Sequence, residues 1–194
     1  MFVPFFIVVF CKGKNMSAHK KVLICATALS LFSSISYADG VFLGSGLARV
    51  TGKETAAEYT STNFLLMAGY EISDYIALEA ETSFVLMDDT VSTQGVSLDI
   101  GASHTAFYLR ASYPASEDVT IFGRLGQSNG KAEASVGNVS VSVDDTALSY
   151  GFGVELNNLF DSMAVRIDYS AAEYKDNGVT TDGSVLAVST VYRF

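Results

Sequence analysis

From Val41 to Phe194 the chain alternates between two kinds of side chain, and it does so in eight separate stretches. Period two means extended strand, because successive side chains then point to opposite faces. The stretches run approximately from Val41 to Val50, Asn63 to Glu71, Tyr75 to Met87, His104 to Tyr113, Val119 to Gln127, Thr146 to Leu156, Ser162 to Glu173 and Ser184 to Phe194. Each has about the 9 to 11 residues that a tilted strand needs to cross a bilayer core. Beyond the N-terminal region no segment holds the ~18 successive apolar residues of a membrane helix. The connectors ISD, PASED and NNLFD are short, and the four segments between them, Thr51 to Thr62, Asp88 to Ser103, Ser128 to Asp145 and Tyr174 to Gly183, are long and polar. Tight turns on one rim and long loops on the other predict an all-β, eight-stranded, antiparallel up-and-down transmembrane barrel.

The two parities differ chemically. One carries Leu43, Leu47, Phe64, Leu66, Leu78, Phe84, Phe107, Leu109, Ile121, Leu125, Leu148, Phe152, Val165, Ile167, Leu186 and Val188, with no charge in mid-strand. The other carries Gly44, Gly46, Gly69, Glu79, Glu81, Arg110, Arg124, Gly126, Gly151, Gly153, Glu155, Arg166, Asp168 and Arg193. A soluble sandwich also alternates, but its polar face is Lys, Thr and Glu in water. Glycine mixed with arginine and carboxylate suits the crowded bore of a narrow cylinder, with the apolar parity turned to lipid.

The N-terminal region reads as a leader. Residues Met16 to Ala38 have a basic start at His19, Lys20 and Lys21, an apolar run from Val22, and small residues Ser36 and Ala38 placed for cleavage after Ala38. The division expected is residues 1–38 as an extension plus signal peptide and 39–194 as barrel, with Met1 and Met16 both open as the start. Cys25 lacks the small residue that precedes a lipidated cysteine, because Ile24 stands there. Cys11 and Cys25 both fall in the leader, which leaves the exported part no thiol for a disulfide, a zinc site or a nucleophile. That part has 8 Lys and Arg against 21 carboxylates, a formal charge of −13. Such a surface argues against nucleic acid as a partner and would repel a heparin-like chain.

Two features test other classes. A lipid-modifying catalyst would need a histidine beside a serine or carboxylate. The one histidine of the exported part, His104, stands at the expected start of a strand, and its sequence neighbours Ser103 and Thr105 point to the opposite face, so it reads as a polar rim residue. Loop carboxylates Asp88, Asp89, Asp99, Glu133, Asp144, Asp145, Asp176 and Asp182 outnumber Lys53, Lys131 and Lys175, without the spacing of a calcium loop. They read as a solvated rim, with divalent ions held against lipopolysaccharide phosphates as the sharper alternative. The segment KAEASVGNVSVSVDD alternates about Gly137 and Asn138 and predicts a projecting hairpin with a strand edge open to a partner. Val139, Val141 and Val143 have the wrong parity for the lipid face below them, which predicts a bulge near Asp144. A ten-strand barrel using this hairpin is the alternative topology.

The segments NFLLMAGYEISDYIALEAETSF and FYLRASYPASEDVTIFGRLG, with the terminal SVLAVSTVYRF, resemble the OmpA-like and opacity-type eight-stranded outer-membrane barrel domain over essentially Gly40 to Phe194. The resemblance implies a Gram-negative outer-membrane protein, in contact with lipid and lipopolysaccharide. It also implies that the assembly machinery reads the last strand through Tyr192 and Phe194. Without tryptophan, tyrosine and phenylalanine must form the interfacial girdle. In that family the interior positions matching Glu79, Arg110 and Arg124 form a salt-bridge cluster that plugs the lumen; Glu81, Glu155, Arg166, Asp168 and Arg193 share the inward parity and are expected to join it. The function implied is a structural or surface-interaction role without cofactor or catalysis, its loop partner unnamed by the sequence. A narrow ion-conducting pore is the first alternative; an adhesin and a lipid A-modifying enzyme follow.

Overall fold

In the computed structural model, residues 40–54, 58–93, 96–136, 139–160, 162–176 and 179–194 are described. The expected leader lies outside them. The strands are β1 (Val41–Lys53), β2 (Glu58–Ser73), β3 (Ile76–Met87), β4 (Asp89–Thr93), β5 (Val96–Pro114), β6 (Val119–Val136), β7 (Val139–Phe160), β8 (Met163–Asp176) and β9 (Val179–Arg193). Every pairing is antiparallel. β1 pairs with both β2 and β9, and β3 closes the circle on β5. β4 continues the path of β3 after a break at Asp88 and pairs on β5 from Asp89 opposite Ile100. The wall therefore has eight members, and the ten-strand alternative is set aside.

Closure follows from the solvent. A backbone N–H or C=O facing hydrocarbon has no water to bond, so each must find a partner in the wall. The short-turn rim is tied in the same way: Glu71 N–H donates to the Gly40 carbonyl at 2.7 Å, Ser112 N–H to Tyr75 at 2.8 Å, Asn157 N–H to Asp118 at 2.8 Å and Phe194 N–H to Val41 at 3.1 Å. Tyr70, Tyr75, Tyr113 and Tyr192 are exposed near this rim, and the Tyr192 ring meets Phe194 edge-on at 4.9 Å. That is where an aromatic girdle is needed.

The parity sorting holds in three dimensions. Leu47, Leu78, Phe107, Leu125, Leu148, Phe152, Ile167 and Val188 each leave half or more of their surface outside the barrel, while Arg110, Arg124, Glu155, Arg166 and Asp168 are buried within it. So large a continuous apolar exterior is incompatible with water and fits lipid.

Three sequence expectations are corrected. The strands on the long-loop side run well past the eight stretches: β5 starts at Val96, β6 reaches Val136, and β7 begins at Val139. The polar segments between Ser128 and Asp145 are ladder, because their outward side chains meet water and need not be apolar. No bulge interrupts β6 and β7, whose register is continuous from Val119 opposite Leu156 to Val136 opposite Val139. The apolar parity changes sides there without any slip, as the hairpin leaves the lipid. Third, because β5 starts at Val96, His104 lies within the wall on its inward face, only 5% exposed, and is no rim residue.

β7 pairs with β8 only as far as Ser149 opposite Ala172, although β8 continues to Asp176. Among the described residues the β7 edge from Val139 to Leu148 has no ladder partner on that side. The chief side-chain bridge across this seam is the Asp145 carboxylate, which accepts the Lys175 N–H at 2.8 Å.

The position of the lipid boundary is testable by charge. Phe152→Arg is expected to lower stability by about 2–4 kcal/mol, as arginine does at the bilayer midplane, and Val141→Arg by less than about 0.5 kcal/mol, as at an exposed surface site. Reversible urea unfolding of the barrel in lipid vesicles, followed by the mobility of unboiled protein on a detergent gel, measures both.

Candidate functional site

The bore carries its ionic residues because alternate positions of each strand must face inward and the outward ones are committed to lipid. The structure brings all eight inward ionic positions singled out in the sequence into one network. Arg166 is fully buried and grips Glu79 with both terminal nitrogens, at 2.7 and 3.0 Å, while its Nε donates to Asp168 at 3.2 Å. Arg124 donates to Glu81 at 2.7 Å, to Asp168 at 2.5 Å and to the Ser170 hydroxyl at 3.2 Å. Arg110 lies between Glu79 at 3.3 Å, Glu155 at 3.4 Å and Glu71 at 3.3 Å. Arg193 pairs with Glu71 at 3.0 Å and with Glu155. Bidentate and shared pairing is what a low-dielectric interior requires, since an unpaired buried charge costs several kcal/mol.

Glu71, His104 and Ser83 escape a search for mid-strand charges. Glu71 sits at the end of β2 but keeps the inward parity of Met67 and Gly69, which was the available signal. His104 Nε2 lies 2.9 Å from Glu81, and its Nδ1 lies 3.0 Å from the Ser83 hydroxyl. Aromatic rings complete the packing: Arg110 lies 5.1 Å from the Phe42 ring centre and 5.6 Å from that of Phe122, Arg166 lies 4.1 Å from Phe122, and Arg124 lies 4.3 Å from Tyr108. Guanidinium over an aromatic face is attractive and keeps water from the charge. Glycines make the room. A Cβ on Gly69 would stand 2.1 Å from the Phe42 ring, and one on Gly153 would stand 2.4 Å from Phe122.

The network runs lengthwise, from His104 through Glu81, Arg124, Asp168, Arg166, Glu79 and Arg110 to Glu71, Glu155 and Arg193. Four arginines face five carboxylates, with the His104 ring at the outer end of the row. A cavity opens at each end. The one at the short-turn rim, about 380 Å³, is bordered by Glu71, Arg110 and Arg193. The outer one, about 460 Å³, has His104 and Tyr108 at its floor.

Ser83, His104 and Glu81 have the composition of a hydrolytic triad but a different arrangement. The Ser83 oxygen accepts from Asn63 Nδ2 at 3.0 Å and from the His104 N–H at 3.0 Å. Both lone pairs are therefore engaged, and the residue is 4% exposed. These bonds serve instead to join β3 and β5 where their ladder stops at Thr82 opposite Thr105. Asn63 and Ser61 extend the tie from β2, donating to the Ala102 carbonyl at 2.7 and 2.9 Å.

In the outer cavity, beyond the lipid-spanning part, burial raises the phenol pKa of Tyr59, with Glu54 adding to it, and burial raises that of Tyr174, with Asp145 adding to it. Both hydroxyls therefore hold their proton to a higher pH than a free tyrosine does.

A family model described as outer membrane protein beta-barrel domain matches residues 22–194. The chain belongs to that family and is a protein of the Gram-negative outer membrane. Over 48 residues it is 42% identical to the attachment invasion locus protein of Yersinia enterocolitica, a match covering 25% of this chain and 27% of that one. The chain thus spans about a quarter of that relative's length in the match. Among solved structures, neisserial surface protein A is similar over 80% of this chain and 98% of its own, with a TM-score of 0.68 at 12% identity. Ail, the attachment invasion locus protein of Yersinia pestis, is similar over 81% and 100%, with a TM-score of 0.58 at 20% identity. The N-terminal barrel of Pseudomonas aeruginosa OprF follows over 80% and 98%, with a TM-score of 0.51 at 8% identity. These likenesses concern the fold.

Because Arg166 is fully buried, Arg166→Met removes the two-pronged partner of Glu79 and one of the two arginines on Asp168, and is expected to cost about 3–5 kcal/mol. Adding Glu79→Gln should recover part of that loss, giving a coupling energy of at least about 1 kcal/mol in a double-mutant cycle. Urea unfolding of the four proteins in vesicles reads it.

Proposed function

We propose that this barrel is a non-enzymatic surface-interaction protein, in which a sealed cylinder anchors a projecting hairpin that engages a partner outside the cell. The observation that carries this reading is the conjunction of a bore crossed along its length by paired ions with a β6–β7 ladder continuing some nine residues beyond the lipid-facing stretch. At ~3.3 Å per residue that is roughly 30 Å of strand. A pore needs an open path, and salt bridges among five carboxylates and four arginines occupy it. A hydrolase needs a free nucleophile, and the Ser83 oxygen is spoken for. The short likeness to a protein named for attachment and invasion points the same way.

The mode of engagement follows from the seam. The β7 edge from Val139 to Leu148 presents main-chain donors and acceptors to which an extended segment of a partner adds as a further strand. Charge selects the partner: the hairpin and rim carry Glu54, Glu133, Asp144, Asp145, Glu173 and Asp182 against Lys53, Lys131 and Lys175, an acidic excess that favours a basic protein surface. Yersinia pestis Ail has been solved with the heparin analogue sucrose octasulfate. The acidic surface here disfavours such a polyanion. In the same reading the barrel sits among lipid and lipopolysaccharide, and Tyr192 and Phe194 at the end of β9 are the residues by which the assembly machinery takes up the strand.

The test combines three measurements. Planar bilayers holding the folded protein should show no discrete conductance. Replacing residues 131–144 by a two-residue Asn-Gly turn should lower adherence of expressing cells to host cells at least tenfold, with the gel mobility of the folded barrel unchanged. A heparin column at physiological salt should not retain the protein. Steady single-channel current altered by Arg110→Ala or Arg124→Ala would favour the narrow pore instead, and a His104-dependent change in lipid A mass would favour an enzyme.

A further inference from the structure

Above the ionic layer the polarity of the wall inverts. Within the lipid zone the outward parity is apolar and the inward one ionic; in the β6–β7 hairpin the outward parity is Lys131, Glu133, Ser135, Ser140, Ser142 and Asp144, and the inward one is Ala132, Ala134, Val136, Val139, Val141 and Val143. Val139, Val141 and Val143 are 69%, 64% and 50% exposed on that inner side. The inversion continues around the outer bore, where Val50, Ile100, Ala102, Ala172 and Val185 border the same 460 Å³ cavity. A cavity of this size is within the range that encloses a small molecule, and apolar lining open to water is stabilised by an apolar occupant.

The local construction keeps that lining smooth. Tyr174 lies flat against the wall where β6 and β9 have glycines: a Cβ would come within 2.8 Å of its ring at Gly130 and 2.6 Å at Gly183. Its hydroxyl is pinned to Ser128 at 2.9 Å, so the ring presents its face and not its polar end. Tyr59 covers Gly52 likewise. The floor offers few free polar atoms, since Tyr108 and Ser149 bond each other at 3.0 Å, Ser149 also donates to the Ala171 carbonyl at 3.1 Å, and both His104 ring nitrogens are engaged.

The mouth is where charge stands. Glu54 accepts from the Thr181 hydroxyl at 3.1 Å, and Asp145 accepts from the N–H groups of Thr146 at 2.7 Å and Lys175 at 2.8 Å. These donors are neutral groups, while the nearby lysines have carboxylates of their own, Lys131 pairing with Glu133 at 3.6 Å and Lys175 with Glu173 at 2.5 Å. We propose that the outer bore is a binding site for a single-chain amphiphile with a cationic head, its alkyl chain lying among Ala132, Ala134, Val143 and Tyr174 and its ammonium between Glu54 and Asp145.

The experiment uses the full barrel in lipid nanodiscs, with methyl NMR of alanine and valine, and three probes of equal chain length: decylamine, decanol and decanoate. Empty nanodiscs correct for partition into lipid. Decylamine should shift the Ala132, Ala134 and Val143 methyls saturably, at least tenfold more tightly than decanoate, with decanol between. Ala134→Trp, which fills the bore, should abolish the saturable shift while the unboiled gel mobility stays that of the folded protein. Glu54→Gln with Asp145→Asn should bring amine and carboxylate within about threefold of each other. Val143→Asp, at an exposed position, serves as a second blocking variant if Ala134→Trp does not fold. Shifts that do not saturate, that persist in the blocked variants, or that favour decanoate overturn the proposal. Failure of the adherence experiment leaves it standing, because the site is made by side chains on the inner face of the wall and needs no partner strand on the main chain of β7.

Discussion

A peptide group facing hydrocarbon has no bonding partner except another peptide group, and the rest of this structure is a consequence of meeting that condition. Eight wall strands joined in a ring satisfy it only when β3 meets β5, and a ring of that size encloses a bore just wide enough for side chains. Alternation then divides every strand between lipid and bore. Because the lipid side must be apolar, all the polar character of the membrane-spanning part is forced inward, where water is scarce. The ionic network is thus less an addition to the barrel than the form its inward residues must take to be buried at all.

Such a network requires charge matching and volume matching together. Arg166 with Glu79 and Asp168, and Arg124 with Glu81 and Asp168, meet the first. The second is met by pairing bulky rings with missing side chains: Phe42 occupies the space left by Gly69, and Phe122 that left by Gly153. The glycines that make the inward parity look weak as strand sequence are therefore positional. They allow Phe42 and Phe122 to flank Arg110, and Phe122 to lie over Arg166 as well, which lowers the exposure of these charges without removing their partners.

Much of this is legible in the sequence, because a two-residue period in eight places, with one chemically uniform parity, admits few folds. Glu79, Glu81, Arg110, Arg124, Glu155, Arg166, Asp168 and Arg193 announce themselves as charges of inward parity. Strand ends did not, since beyond the lipid the outward parity turns polar and the ladder between Ser128 and Asp145 looks like loop. His104 was misplaced for that reason: its position depends on where β5 begins, and Val96 to Ser103 carry no lipid-facing pattern. The valines of the hairpin suggest a bulge only if alternation keeps one sense throughout. What changes there is the medium outside, from lipid to water, and the register is untouched. Glu71 was passed over because it closes its strand, although its parity was correct.

The seam between β7 and β8 carries one more implication. Above Ser149, among the described residues, every second amide of β7 faces away from β6 with no ladder acceptor, the Thr146 N–H being held by the Asp145 carboxylate instead, while those facing β6 are bonded as in the rest of the wall. Solvent deuterium should therefore enter this strand in an alternating pattern, fast and slow by turns from Val139 to Leu148, and the pattern should end abruptly where β8 takes up its share of the bonds. A strand that is half fastened along a defined length is also where the cylinder begins to come apart, so the order in which the wall loosens is written into the height at which one neighbour lets go of the other.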